Sequence, residues 1–207
     1  HFVALNDYKK RLLQLGEESW RIFNIGVPSL QSIKDMKFTN KRDLTKKIQF
    51  NLNNEYALLT YHPTSDEFNK IKKNLSIIEK VIKKNNLNLI VTYPNSDLGN
   101  DLIIKFFKKK FKNKNKFKII KNCGQDLFLN ISKHCSFMIG NSSSGIVESA
   151  SLKIPAINIG NRQKGKLHPK NVINCSFNEK EILKAIKKIK TKSFLNFLSN
   201  MKNPYEK

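Results

Sequence analysis

The sequence is short of several things, and each shortage removes a class of function. It has three cysteines, Cys123, Cys135 and Cys175, with no CxxC pair among them. Neither a disulfide framework nor a thiolate zinc site is suggested by that spacing, and reduced, buried thiols fit a cytoplasmic compartment. The four histidines, at 1, 62, 134 and 168, form no metal-spaced pair, so no metal and no cofactor is expected. No apolar run approaches the roughly 20 residues of a membrane helix, and no signal peptide is recognisable. Neither GxxxxGK[ST] nor GxGxxG occurs, which removes the nucleoside-triphosphate loop and the dinucleotide fingerprint.

Arginine is scarce too: Arg11, Arg21, Arg42 and Arg162 are the only four. Acidic residues number 16 against 39 Lys plus Arg, a net charge of +23. Such a charge invites nucleic acid. Lysine supplies nearly all of it, however, spread along helix surfaces and not interleaved with aromatics. The side chain that forks onto base edges and phosphates is the one that is missing. Solvated lysine surfaces are expected, and nucleic acid and membrane are not expected as partners.

What is present is enough apolar material for a core: 39% of 207 residues. The chain opens on His1 and a strand-like HFVAL, which raises the expectation that a segment precedes it. A helix capped by Asn6 or Asp7 carries Tyr8, Leu12 and Leu15 and stops at Gly16. RIFNIG (21–26) reads as a short strand broken at Val27-Pro28, and 41–50 as a helix. From Tyr56 the pattern sharpens. Apolar strands are expected at 56–61, 87–93, 117–120, 136–139, 155–159 and 172–175. Helices are expected near 64–82, 97–111, 125–133, 145–152 and 178–190, with a weaker helical tail over 191–207. Phe68, Ile71, Leu75, Ile78 and Ile82 step by three and four, so they share one helix face.

Strands that are continuous apolar runs, alternating with helices, predict an α/β fold: a Rossmann-like, doubly wound parallel sheet covered on both sides. Ligands of such sheets bind at the carboxyl ends of the strands. Four strands end in polar clusters there: His62-Pro63-Thr64, Pro94-Asn95-Ser96-Asp97, Gly140-Asn141-Ser142-Ser143-Ser144-Gly145, and Gly160-Asn161-Arg162-Gln163. Their convergence on one cleft is the strongest signal in the chain. The serine turn offers backbone N–H groups, hydroxyls and close approach through glycine, which suits a phosphate or diphosphate; Ser142 could equally be a plain helix cap. Glu148 could accept the two hydroxyls of a ribose, or be a solvated glutamate favoured by the helix dipole. Arg162 suits an anion, or is a surface arginine. His62 could touch a phosphate or move a proton, or be structural.

GNSSSGIVES, SLKIPAINIGNRQKGK and NVINC, with TYHPTSDE and TYPNSD, resemble the carboxyl-terminal half of the hydrolysing UDP-N-acetylglucosamine 2-epimerases. HFVALNDYKKRLLQLGE and RIFNIG resemble the end of that family's amino-terminal domain and its crossover. The non-hydrolysing sister family has a Thr-Asp-Ser-Gly-Gly turn instead and lacks Arg-Gln-Lys-Gly. The resemblance implies one half of a two-domain, glycosyltransferase-B-like architecture with a UDP-sugar in the cleft. It divides the chain into 1–29 (end of the amino-terminal domain and crossover), 30–190 (UDP-binding domain) and 191–207 (helical tail).

By the same resemblance Ser142 and Ser143 bind the diphosphate and Glu148 the ribose. His62 and Arg162 act at the diphosphate or sugar, Asn95 and Asn141 line the pocket, and the uracil lies near Lys118. The implied reaction turns UDP-N-acetylglucosamine and water into N-acetylmannosamine and UDP, for sialic-acid-type sugars. The carboxylates that handle the C2 proton lie in the other domain, so this piece is expected to be inactive alone and the full-length enzyme a homo-oligomer. The same chemistry on another UDP-acetamido sugar, a UDP-sugar glycosyltransferase and, below these, a basic nucleic-acid module are the alternatives.

Overall fold

A computed structural model describes residues 1–207. Six strands form one parallel sheet: β3 (Tyr56–Thr60), β4 (Asn88–Thr92), β5 (Phe117–Ile120), β6 (Phe137–Gly140), β7 (Ala156–Ile159) and β8 (Val172–Cys175). Their spatial order is β5-β4-β3-β6-β7-β8, every pair parallel. Counted from β3 this is the order 3-2-1-4-5-6, with the reversal of direction between β3 and β6.

The uninterrupted apolar strands follow from the two covered faces. Neighbours in a strand point to opposite sides, and Leu58 and Leu59, both fully buried, belong to different cores. On one face α4 (Ile71–Lys84), α5 (Asn100–Lys110) and α8 (Glu179–Ile189) close a core of 23 buried residues; on the other, α2 (Ser29–Asp35), α3 (Lys41–Ile48) and α6 (Gly124–His134) contribute to one of 20, joined by Val147 and Leu152 at the two ends of α7 (Glu148–Ser151). The near equality means neither face is left to water. Ile71, Leu75, Ile78 and Ile82 are all buried, as their spacing predicts. The turn before them, Ser65–Lys70, is 3₁₀ and not α-helical.

Helix α2 was not legible in the sequence. Val27-Pro28 reads as a strand stop, yet a proline's fixed φ also suits a helix start. Pro28 has φ −58° and α2 follows directly, burying Leu30 and Ile33. The opening residues make a separate pair, β1 (Phe2–Val3) and β2 (Phe23–Asn24), parallel to each other and not joined to the large sheet. The helix between them, α1 (Asn6–Gln14), buries nothing.

At the other end α9 (Lys192–Asn200) stops before Pro204, and 201–207 runs back as a strap. The residue preceding a proline is steered away from helix. The buried Asn203 amide donates to Val147 O at 2.9 Å and Ser151 Oγ at 2.7 Å, 56 and 52 residues away. Tyr205 Oη donates to Leu167 O at 2.7 Å, and Tyr205 O accepts from Val27 N–H.

Candidate functional site

The reversal between β3 and β6 opens a crevice at the carboxyl edge, and the backbone there is tightly constrained. Gly140 sits at φ +132°, and a Cβ on it would lie 1.9 Å from Thr60 O. Only glycine lets the two strand ends approach so closely. One residue on, Asn141 is 1% exposed. It accepts from His62 N–H at 2.7 Å and returns its amide to His62 O at 2.8 Å. This reciprocal pair stitches the loop after β3 to the loop after β6. Asn141 O is then shared by Arg162 at 3.2 Å and Gln163 at 2.9 Å, which ties in the loop after β7. Beneath them, Thr60 and Thr92 join β3 to β4 through hydroxyls 2.6 Å apart.

His62 Nδ1 accepts the Asn95 N–H at 3.0 Å. The remaining proton of a neutral ring therefore sits on Nε2, and the ring is a donor there. Burial, then the Arg162 charge, lowers the imidazole pKa from 6.5 to about 4. At neutral pH His62 is uncharged, and the arginine beside it helps to keep it so.

The serine turn runs as a 3₁₀ turn, Ser143–Gly145, capped by the Ser142 hydroxyl, and leads into the single turn of α7. The Ser142 and Ser143 amides have no acceptor within the chain. Glu148 opens α7 and is half-buried, and its Oε1 accepts the Ser29 hydroxyl at 3.2 Å. A cavity of about 510 Å³ lies between this side and the loop after β5. Ser29, His62, Ser142, Ser144 and Glu148 form one wall, Ile120 to Gln125 with Phe128 the other, and Thr60 and Thr92 also line it. A second hollow, about 320 Å³, lies at the amino edge among Asn54, Glu55, Asn86 and Lys190. No sequence-predicted site residue lines it.

The predicted residues thus fall into three groups. His62, Ser142 and Glu148 line the cavity. Asn95, Asn141 and Arg162 support it: Asn95 acts through its backbone on His62, and Asn141 lies under the loops with its amide consumed. Lys118 is outside, because β5 continues to Ile120 before its edge is reached, and the wall begins there. Of the serines, Ser142 and Ser144 line the space and Ser143 does not. Sequence reasoning missed Ser29 and the segment Lys121–Gln125. The latter is a polar cluster after a strand, the signal used for the other four. Ser29 carried no signal, being 119 residues from its partner.

The family model described as "UDP-N-acetylglucosamine 2-epimerase" matches residues 1–207. The chain belongs to the UDP-N-acetylglucosamine 2-epimerase family. Among curated members it is 43% identical, over 197 residues, to the GDP/UDP-N,N'-diacetylbacillosamine 2-epimerase (hydrolyzing) of Campylobacter jejuni, covering 94% of this chain and 50% of that protein. It is 31% identical to the polysialic acid biosynthesis protein P7 of Escherichia coli, covering 100% and 53%. The chain spans about half the length of the curated relatives it matches. The structure of Methanocaldococcus jannaschii UDP-GlcNAc 2-epimerase, solved with UDP-GlcNAc and UDP, superposes with a TM-score of 0.73 at 24% identity, over 100% of this chain and 57% of that one. At that identity the match shows the fold of one half of such an epimerase.

Proposed function

We propose that this chain is the UDP-binding half of a hydrolysing UDP-sugar 2-epimerase, which releases UDP and a 2-epimerised acetamido sugar. The observation that carries the reading is the cavity at the strand reversal, where His62, Ser142, Ser144 and Glu148 share a wall. The diphosphate lies against the Ser142 and Ser143 amides and the serine hydroxyls, with His62 Nε2–H as a neutral donor and Arg162 at its flank. Glu148 takes the ribose hydroxyls. The uracil rests between Ile120 and Phe128, on the main chain of 121–124.

In this reaction the proton at sugar C2 is removed while the bond from C1 to the β-phosphate oxygen breaks, leaving a glycal; water then adds. Negative charge grows on the departing oxygen, and fixed N–H donors stabilise it with little reorganisation. His62 contributes by hydrogen bonding rather than by delivering a proton, because its ring is already neutral. The carboxylates that remove the C2 proton belong to the other half, so the chain binds without turnover.

UDP-N-acetylglucosamine is the substrate that the motifs suggest. A second reading, UDP-N,N'-diacetylbacillosamine, gains support from the 43% identical relative that bears that sugar in its name. Residues 1–29 go with the amino-terminal domain: Phe2, Trp20 and Phe23 are 75%, 68% and 54% exposed, an apolar surface that a further domain would cover. The full-length enzyme is expected to be a homo-oligomer. Calorimetric titration tests the first step: UDP binds in the micromolar range and GDP at least about tenfold more weakly. A chain that ignores UDP sinks the reading. Joined to an amino-terminal half, the enzyme is given both UDP-sugars, and the free sugar released decides between them.

A further inference from the structure

Glu148 is the one carboxylate that lines the cavity, and it holds no cation. With 39 basic side chains available, Asp7, Glu18, Glu55, Glu79, Asp101 and Glu179 all hold a lysine or arginine, whereas no ion pair of the chain involves Glu148. Its one side-chain partner is a neutral hydroxyl, Ser29 Oγ, at 3.2 Å on Oε1. The other oxygen has no partner within the chain. Ser29 lines the same cavity and stands on the first residue of α2. That helix is itself fixed, by burial of Leu30 and Ile33 and by the Val27 N–H to Tyr205 O bond just upstream.

We propose that Ser29 is a positioning and specificity residue: it holds the Glu148 carboxylate so that its free lone pairs meet both hydroxyls of a ribose, and so selects ribonucleotides over deoxyribonucleotides. The proposal rests on the reading of the cavity as a UDP site. A carboxylate offers about four acceptor positions and no donor. Held by Ser29 at one of them, it still has room for a vicinal diol. A glutamate at the head of a short helix is otherwise free to rotate about three side-chain bonds, and that freedom would be lost on binding. Ser29 removes much of it beforehand, so the pair of hydroxyls meets an oriented acceptor. A hydroxyl serves this purpose where a lysine would not. A cation would draw the carboxylate into an ion pair and compete with the sugar for the same lone pairs.

The test is calorimetry on the whole chain with UDP and 2′-deoxy-UDP. The unmodified chain prefers UDP by about tenfold, the scale of one well-made hydrogen bond to a charged group. Ser29→Ala and Ser29→Gly, which delete the hydroxyl with opposite helix preferences, each reduce that ratio to about twofold, and Ser29→Thr restores it. A general loss of stability would weaken both ligands alike and leave the ratio standing. If Glu148→Gln collapses the ratio and both Ser29 deletions leave it at tenfold, the role of Ser29 is overturned and the UDP site stands. If UDP does not bind, the UDP reading and the Ser29 proposal fall together; if UDP binds and Glu148→Gln leaves the ratio intact, the Ser29 proposal falls alone.

Discussion

The two edges of the central sheet carry similar residues and organise them differently. At the amino edge Glu55 reaches Lys190 at 3.8 Å with its side chain 80% exposed, and Asn88 donates to Glu55 O on the surface. At the carboxyl edge Glu148 is half-buried and held by a hydroxyl, and Asn141 is buried with both ends of its amide engaged. Composition alone does not separate the edges. What separates them is that carboxyl-edge side chains bond across loops from different strands, so their positions are set by the sheet. Amino-edge pairs sit in water, where an ion pair contributes about 0–1 kcal/mol.

That contrast can be broken most severely at Gly140. Gly140→Ala drives a methyl group into Thr60 O, and we expect a loss of several kcal/mol and a melting temperature at least about 10 °C lower, or no soluble protein. An unchanged melt would mean the edge is not constrained as described. Next comes Asn141→Ala, which strands the His62 backbone groups and should cost about 2–3 kcal/mol; its amino-edge counterpart, Asn88→Ala, should stay within about 0.5 kcal/mol. Urea midpoints that move equally for the two would erase the difference between the edges. Third, Glu148→Gln should weaken UDP binding about tenfold, while Glu55→Gln leaves it alone.

A pH series sharpens the comparison further. His62 has its pKa lowered to about 4 in the fold, so between pH 6.5 and 4 the unfolded imidazole binds a proton that the folded one refuses. Stability therefore rises with pH through that window and is lost as pH falls through it. His62→Gln should flatten that part of the profile, and a profile no flatter than that of the unmodified chain would refute the assignment. The smallest effect belongs to Lys118→Ala, which should leave UDP affinity within about twofold because the cavity wall begins at Ile120.

The alternation of apolar runs and helices was enough to read the parallel sheet and to place polar loops along one edge, because burial on both faces forces strands such as YALLT to be apolar throughout. Which side chain of a loop turns inward was not legible. Ser143 and Ser144 are identical in type, yet only Ser144 lines the cavity. The strand over 117–120 was read with its observed bounds, yet the cavity wall begins at its last residue, Ile120, two positions beyond Lys118. Ser29 was invisible because Pro28 serves equally as a stop and a start, and because its partner lies in another element far along the chain. Local pattern specifies what repeats; pairings across long separations emerge only once the sheet order is known.

The strap at 201–207 has a consequence for how the protein is made. The helix that presents Glu148 is gripped by Asn203, 56 residues downstream of Val147. At about 5–20 residues per second, a ribosome spends roughly 3–11 seconds between placing Val147 and placing Asn203. Through that interval the nascent chain carries a finished β6 while the turn bearing Glu148 lacks its grip, so this wall of the cavity is secured only after the strap has been made.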